Sequence, residues 1–225
     1  MTLPNIFPLA PGAITVDFGN EISVALNDRA IALASWFELN PFDGFIEAAP
    51  AFSSVAIFYD LATVRRAYPN AATGFEAVRS IVESNLKRVT KPEHERARLV
   101  EIPVDFSPSA ALDLGHLADE NHLSIDDFIH IFVSRAYRVF MLGFLPGFAY
   151  MGEVDDRIAV PRKRTPRKIV PRGSVGIAGR QTGVYPLDSP GGWQVVGRTD
   201  LEMFTPKGDR LTLLRPGDEV RFVAQ

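Results

Sequence analysis

Gly173-Ser-Val-Gly-Ile-Ala-Gly-Arg-Gln-Thr-Gly-Val-Tyr-Pro-Leu-Asp-Ser-Pro-Gly-Gly-Trp-Gln-Val-Val196 decides the fold of the second half of the chain. Its two β-prone runs, Ser174–Ala178 and Trp193–Val196, are short. Gly and Pro punctuate the stretch too closely for any helix to form. Working outward, Val139–Phe144, Leu211–Leu214 and Glu219–Val223 have the same texture. From Arg138 to Gln225 the pattern is that of an all-β barrel or sandwich.

Upstream of Tyr137 the periodicity changes. Ala13–Phe18 is an apolar strand ending at Gly19-Asn20, where Asn20 is placed to cap a helix. Ile22, Leu26, Ala30, Leu33 and Phe37 recur at helical spacing. Asn40-Pro41 and Asp43-Gly44 end that helix, and Phe45–Ala49 and Ser54–Tyr59 read as strands joined across Pro50. A second helix is expected over Gly74–Arg88, with Phe75, Val78, Val82 and Leu86 on one face, and another strand over Arg98–Phe106. This β-α-β-β-α-β order predicts a ferredoxin-like unit, although the last strand could equally serve the following domain. The charged stretch from Lys91 to Arg96 marks the boundary. Residues 1–94 then form an α+β domain and residues 95–225 the β domain. Two short helices are expected at Ala110–Asn121 and from Ser124, where Ser124 and Asp127 have capping-box spacing.

Composition narrows the function classes. Of the 225 residues 46% are hydrophobic and 23% charged, which suffices for ordinary cores. A formal charge of -3 gives no general attraction to nucleic acid or to an anionic membrane, so anion binding requires a local cluster. The chain has no cysteine, which removes disulfides, thiolate metal sites and a cysteine nucleophile. Met1–Gly12 lacks the basic start and apolar core of a signal peptide, and no run approaches the roughly 20 apolar residues of a membrane span. A cytoplasmic location is the expectation.

The local cluster lies between Pro161 and Arg172, where Arg162, Lys163, Arg164, Arg167, Lys168 and Arg172 occur without an acid. Pro161, Pro166 and Pro171 stiffen the segment. Arginines on a stiff loop can grip carboxylate or phosphate oxygens, giving a small-anion site. A solvated basic loop, or one that meets an acidic partner, has the same composition. Gly173-Ser174-Val175-Gly176 lacks the Gly-x-Ser-x-Gly spacing of a nucleophile elbow. Neither Gly143–Gly147 nor Gly179–Gly183 matches a nucleotide-binding loop. His94, His116, His122 and His130 show no metal-ligand spacing. Gln181, Thr182, Tyr185, Asp188 and Ser189, ahead of Pro190-Gly-Gly-Trp193, could offer amide and hydroxyl groups to a polar ligand. They could equally be barrel-corner residues, with Trp193 as a core plug.

Taken in order, Gly143-Phe-Leu-Pro-Gly-Phe-Ala-Tyr150, Pro161-Arg162, Pro166-Arg167, Val170-Pro-Arg-Gly-Ser-Val175, Gln181-Thr-Gly-Val-Tyr-Pro186 and Ser189-Pro-Gly-Gly-Trp193 resemble the motifs of one family. It is the family of the 5-oxoprolinase B-type subunit, allophanate hydrolase subunit 1 and the KipI-like kinase inhibitors. The likeness extends more weakly through Val16–Gly19 and Ser53–Asp60. It implies an α+β protein: a small N-terminal ferredoxin-like domain followed by a cyclophilin-like β-barrel. It implies a cytoplasmic component, inactive alone, of a complex that uses ATP with Mg to open the 5-oxoproline lactam to glutamate. The implied partners are a sister cyclophilin-like chain, of the 5-oxoprolinase C type or the allophanate hydrolase subunit 2 type, and a third, A-type subunit.

On this resemblance Arg162, Arg167, Gln181 and Tyr185 are the expected catalytic residues. Thr182, Ser174, Ser189 and Trp193 are the expected substrate-binding residues, and no metal ligand is expected. The family also contains an inhibitor of a sensor histidine kinase, so a regulatory binding protein is the alternative, beside an allophanate or urea-pathway amidohydrolase subunit. Relatives carry a histidine five residues before the tyrosine matched by Tyr137; here Phe132 stands there, with His130 two positions earlier. The chain also has Ala111-Leu112-Asp113 where the family has Gly-Pro-Asp.

Overall fold

The computed structural model describes residues 3–89, 97–207 and 210–225. Internal contacts divide the chain into two compact units, Met1–Arg96 and Ala97–Gln225. The stretch expected as their boundary, with His94 in it, lies outside the described residues.

The first unit begins with a hairpin, β1 (Asn5–Ala10) and β2 (Ala13–Asp17), followed by helix α1 (Val24–Leu39). Strands β3 (Phe45–Pro50) and β4 (Ser54–Tyr59) and helices α2 (Leu61–Ala67) and α3 (Gly74–Asn85) complete it. The four strands form an antiparallel sheet in the order β1-β2-β4-β3. Ile14, Val16, Val55 and Ile57 on the sheet pack with Leu33 and Phe37 of α1 and Val78 and Val82 of α3, all fully buried. Burial of each such side chain contributes about 1.5–3 kcal/mol before entropy is counted.

Of the two places open to the strand over Arg98–Phe106, it takes the second unit, and the N-terminal strand β1 occupies the sheet edge of the first. One expectation is corrected: Asn20 does not cap α1. Asp17 accepts the Gly19 N–H at 3.0 Å in a local turn, Ser23 is the residue that precedes the helix, and Ile22 stays exposed ahead of it. The buried Asn27 of α1 donates to the carbonyls of Ala51 and Phe52 at 3.2 and 3.1 Å, tethering the β3–β4 turn.

The second unit contains β5 (Leu99–Val104), α4 (Leu114–Glu120), α5 (Ile125–Val133), β6 (Ala136–Leu142), β7 (Ala149–Gly152), β8 (Arg167–Val170), β9 (Ser174–Ala178), β10 (Gln181–Val184), β11 (Ser189–Gly191), β12 (Gln194–Arg198) and β13 (Glu219–Ala224). Seven of the strands form one sheet in the order β12-β9-β10-β7-β6-β13-β5, and β13 and β5 run parallel. Its two edges meet where Asp105 and Arg198 exchange backbone hydrogen bonds of 2.7 and 2.9 Å, so the sheet nearly closes into a barrel. Closure leaves few unpaired backbone groups. Val139, Met151, Val175, Ile177, Val184, Val220 and Phe222 fill the interior with Phe128 and Phe132 of α5. The Ser124 cap is as read: its hydroxyl accepts the Asp127 N–H at 3.0 Å. Leu211–Leu214 makes only an isolated bridge, Phe204 with Thr212, instead of a strand. Among the described residues no helix is long and apolar enough to cross a membrane.

Candidate functional site

Strand alternation sends Val175, Ile177, Thr182 and Val184 into the barrel and leaves Gly176, Gln181, Gly183 and the following Tyr185 on its outer face. A second apolar cluster covers that face: Phe148, Val170, Ala178, Tyr185, Trp193 and Val195, with Leu145 and Tyr150 at its margin. The ring of Phe148 is central, 4.9 Å from Tyr150, 5.4 Å from Tyr185, 5.3 Å from Trp193 and 5.6 Å from Phe144, all edge-on. Such geometry lets each ring edge meet the negative face of the next. Glycine in the strands makes room. A Cβ on Gly183 would stand 2.9 Å from Phe148 Cζ, and one on Gly176 3.1 Å from Trp193 Cβ.

Over this platform runs the basic segment, and a single acid sorts its cations. Asp113, just ahead of α4, is buried. It does not cap the helix. Its carboxylate accepts two bonds from Arg167 (2.9 and 2.7 Å), one from Lys163 Nζ (2.9 Å) and one from the Val195 N–H (2.7 Å). Burial pushes the Asp113 carboxyl up, but the bonds from Arg167, Lys163 and Val195 outweigh it and hold it below the usual carboxylate range. Lys163 is further fixed by its own N–H to the Gly192 carbonyl, at 2.7 Å. The loop is thereby pinned to β12. The guanidinium of Arg162 lies 5.8 Å from the Trp193 ring centre, and neither Arg162 nor Arg164 has an acidic partner among the described residues.

The expected site residues therefore separate. Arg162, Tyr185 and Trp193 come together, and Gln181, half-buried, starts the strand that leads to Tyr185. Tyr185 is nearly inaccessible. Burial raises its hydroxyl pKa, with a hydrogen bond accepted from the Trp193 backbone N–H pulling the other way. Arg167 has its planar fork occupied by Asp113, so it positions the loop rather than waiting for an anion. Thr182 points into the barrel and donates to the Gly176 carbonyl at 2.9 Å. Ser174 and Ser189 are buried beneath the segment, and the Ser189 hydroxyl is without a hydrogen-bond partner.

Sequence reading named Asp113 only within a family motif and gave it no role, and it passed over Lys163 as its partner and Phe148 and Tyr150 as the platform. The available signal was an acid set between leucines, Leu112-Asp113-Leu114, since buried acids are almost always paired. Phe132 is fully buried, stacked on Phe222 at 4.9 Å, while His130 lies on the other side of α5. The helical offset between them does not let His130 take the place of a residue at 132.

Arg162 is exposed beside this buried cluster, where its guanidinium can meet an anion, whereas Asp113 is already paired with two cations. Comparison with known proteins agrees with a shared architecture for the whole chain. The family model for the carboxyltransferase domain, subdomain C and D, matches residues 4–214. The chain is 44% identical to the 5-oxoprolinase B subunit of Bacillus subtilis (strain 168) over 216 residues, 96% of this chain and 90% of that protein. Identity to the 5-oxoprolinase B subunit of Escherichia coli O157:H7 is 36% over 213 residues, 95% and 92% of the two chains. The crystal structure of TTHA0988 superposes with a TM-score of 0.80 at 36% identity, covering 95% of this chain and 40% of that longer one. This chain belongs to the carboxyltransferase-domain subdomain C and D family, the family of the 5-oxoprolinase B subunit.

Proposed function

We propose that the chain is the B-type subunit of a cytoplasmic 5-oxoprolinase complex, which couples ATP hydrolysis to opening of the 5-oxoproline lactam. The observation that carries the reading, beside the kinship to 5-oxoprolinase B subunits, is Arg162: a guanidinium laid against Trp193 with no carboxylate to satisfy it among the described residues. 5-Oxoproline is a five-membered lactam with one carboxylate. Arg162 would hold the carboxylate, Tyr150, the half-buried ring at the cluster margin, would face the ring carbons, and Gln181 is read as the amide that would meet the lactam.

A lactam carbonyl is a poor electrophile. Transfer of the ATP γ-phosphoryl to its oxygen releases ADP and activates the carbon; one water then adds and the C–N bond opens to an acyl phosphate, from which a second water displaces phosphate to leave glutamate. Charge stabilisation dominates such a transfer. Mg-ATP is bound by the complex, whose other members are a C-type sister and an A-type third subunit, and the barrel is read as cyclophilin-like.

The test is glutamate and ADP formation from 5-oxoproline and ATP by the reconstituted complex, with and without this chain. Activity that requires this chain is expected. A stable complex that turns over equally well without it overturns the reading. Within the active complex, Arg162→Ala should raise KM for 5-oxoproline about 10- to 100-fold, the worth of one charge-assisted hydrogen-bonded pair. An unchanged KM removes Arg162 from the substrate site.

A further inference from the structure

Strand β8 pairs with β11 alone, so one of its edges carries unpaired backbone groups. A register shift in that pairing, Val170 against Ser189 but Arg167 against Gly191, turns Arg167 and Val170 inward. Lys168 and Ile169 are consequently both left outside, Ile169 at 66% exposure. Arg164 lies just before the strand and is also exposed. Neither Arg164 nor Lys168 has a carboxylate partner among the described residues. An exposed branched apolar residue on an open strand edge, flanked by unpartnered cations, is a surface with a missing counterpart.

Its charge pattern selects the occupant. A second copy would bring Arg164 and Lys168 against themselves, and like charges facing each other across strands are destabilising. The charge of Lys168 thus guards the edge against self-pairing, which is one way natural edge strands avoid aggregation. A small polyanion is equally poorly served, because the cations that converge in this segment, Lys163 and Arg167, are consumed by Asp113, and the remaining ones are strung along an extended chain. An extended acidic segment satisfies everything at once: its backbone completes the edge, its carboxylates meet Arg164 and Lys168, and an apolar residue covers Ile169.

We propose that β8 and the residue Arg164 before it form a docking edge for an acidic, extended segment of a partner protein, recognised by strand addition. This surface lies on the outer side of the segment that also carries Arg162, and it does not depend on the reaction assigned to that residue.

The probe is a short acetylated peptide of alternating Glu and Val, titrated into the 15N-labelled full chain, with an alternating Lys and Val peptide and a backbone N-methylated acidic peptide as controls. The acidic peptide should shift the amide signals of Lys168 and Ile169 selectively. The apparent Kd should weaken at least tenfold in the Arg164→Glu/Lys168→Glu variant and on raising the salt concentration. The N-methylated peptide, which keeps the charges but cannot bond along an edge, should lose binding. Equal binding of acidic and basic peptides, undiminished binding of the N-methylated one, or no shift at Lys168 and Ile169 overturns the proposal. A single-stranded oligonucleotide that moves the same amides as strongly as the peptide also overturns it, in favour of a general anion surface. Both substituted residues are exposed, and an unchanged amide spectrum elsewhere verifies that the variant is folded.

Discussion

Asp113 is the side chain on which the candidate site turns. It has four hydrogen bonds to its carboxylate and only 6% side-chain exposure, and it fixes which cations of the basic segment remain available. Replacing it with Asn leaves Arg167 and Lys163, themselves less than one-third exposed, without a counter-charge. We expect Asp113→Asn to cost about 3 kcal/mol at neutral pH. Because the folded carboxyl titrates below its ordinary value of about 3.9, its stabilisation is present above that pH and is lost as pH falls through the folded-state value. The gap between wild type and Asp113→Asn in urea midpoints should therefore be widest at neutral pH and narrow below about pH 4. A gap that does not change with pH would mean that Asp113 acts by shape rather than charge.

Phe132 invites the opposite substitution. Its ring stacks on Phe222 and lies 5.3 Å from Tyr137, whose hydroxyl donates to the Phe132 carbonyl at 2.7 Å. Phe132→His places an ionisable ring in this apolar core. We expect a loss of about 2 kcal/mol at neutral pH from poorer packing and polar burial. Burial disfavours the imidazolium, so the folded pKa falls below the ordinary value of about 6.5, and the loss should deepen as pH drops below it. Thermal melts across that pH range measure the effect directly. If the stability loss were independent of pH, the imidazole would be reaching solvent.

At the scale of elements, packing of the rings depends on strands that give up their side chains. A Cβ at Gly183 would come within 2.8 Å of the Ala149 carbonyl as well as 2.9 Å of Phe148, and the first is backbone that cannot rotate away. Gly183→Ala should cost about 1–3 kcal/mol and displace Phe148, seen as altered near-ultraviolet circular dichroism. An Ala variant with wild-type stability and spectrum would show that β10 can move away from β7. The same elements explain what the sequence made legible. The α5 cap is a contact between neighbours, so Ser124 and Asp127 could be read directly, as could β9, whose bounds are those expected. The partner of Leu99–Val104 could not be read, because it is β13, more than a hundred residues away, and either unit would have suited an apolar strand. Arg162 and Arg167 looked alike for the same reason: the acid that distinguishes them is 54 residues from Arg167. Local chemistry was visible, and long-range pairing was not.

For the molecule as a whole, each core draws its side chains, among the described residues, from one unit. The cluster around Ile14, Leu33 and Phe37 uses described residues up to Val89, whereas those around Phe132 and Phe148 use described residues from Val100 onward. The barrel unit also binds its own beginning: Arg98 is paired with the buried Asp218 and donates to the Leu213 carbonyl at 2.7 Å, seating β5 beside β13. A sheet that meets itself at Asp105 and Arg198 needs no strand from outside to complete it. Residues 97–225 expressed alone should therefore fold as a monomer with dispersed amide resonances and one cooperative thermal transition. Arg98→Ala in that fragment leaves Asp218 buried, with Arg215, largely exposed, the one remaining cation within 4 Å among the described residues, at 3.5 Å, and should lower the midpoint by several degrees. A fragment that is collapsed but lacks near-ultraviolet signal would show that the barrel core takes its order from the preceding residues, and the separation of the two cores would then be one of packing and not of folding.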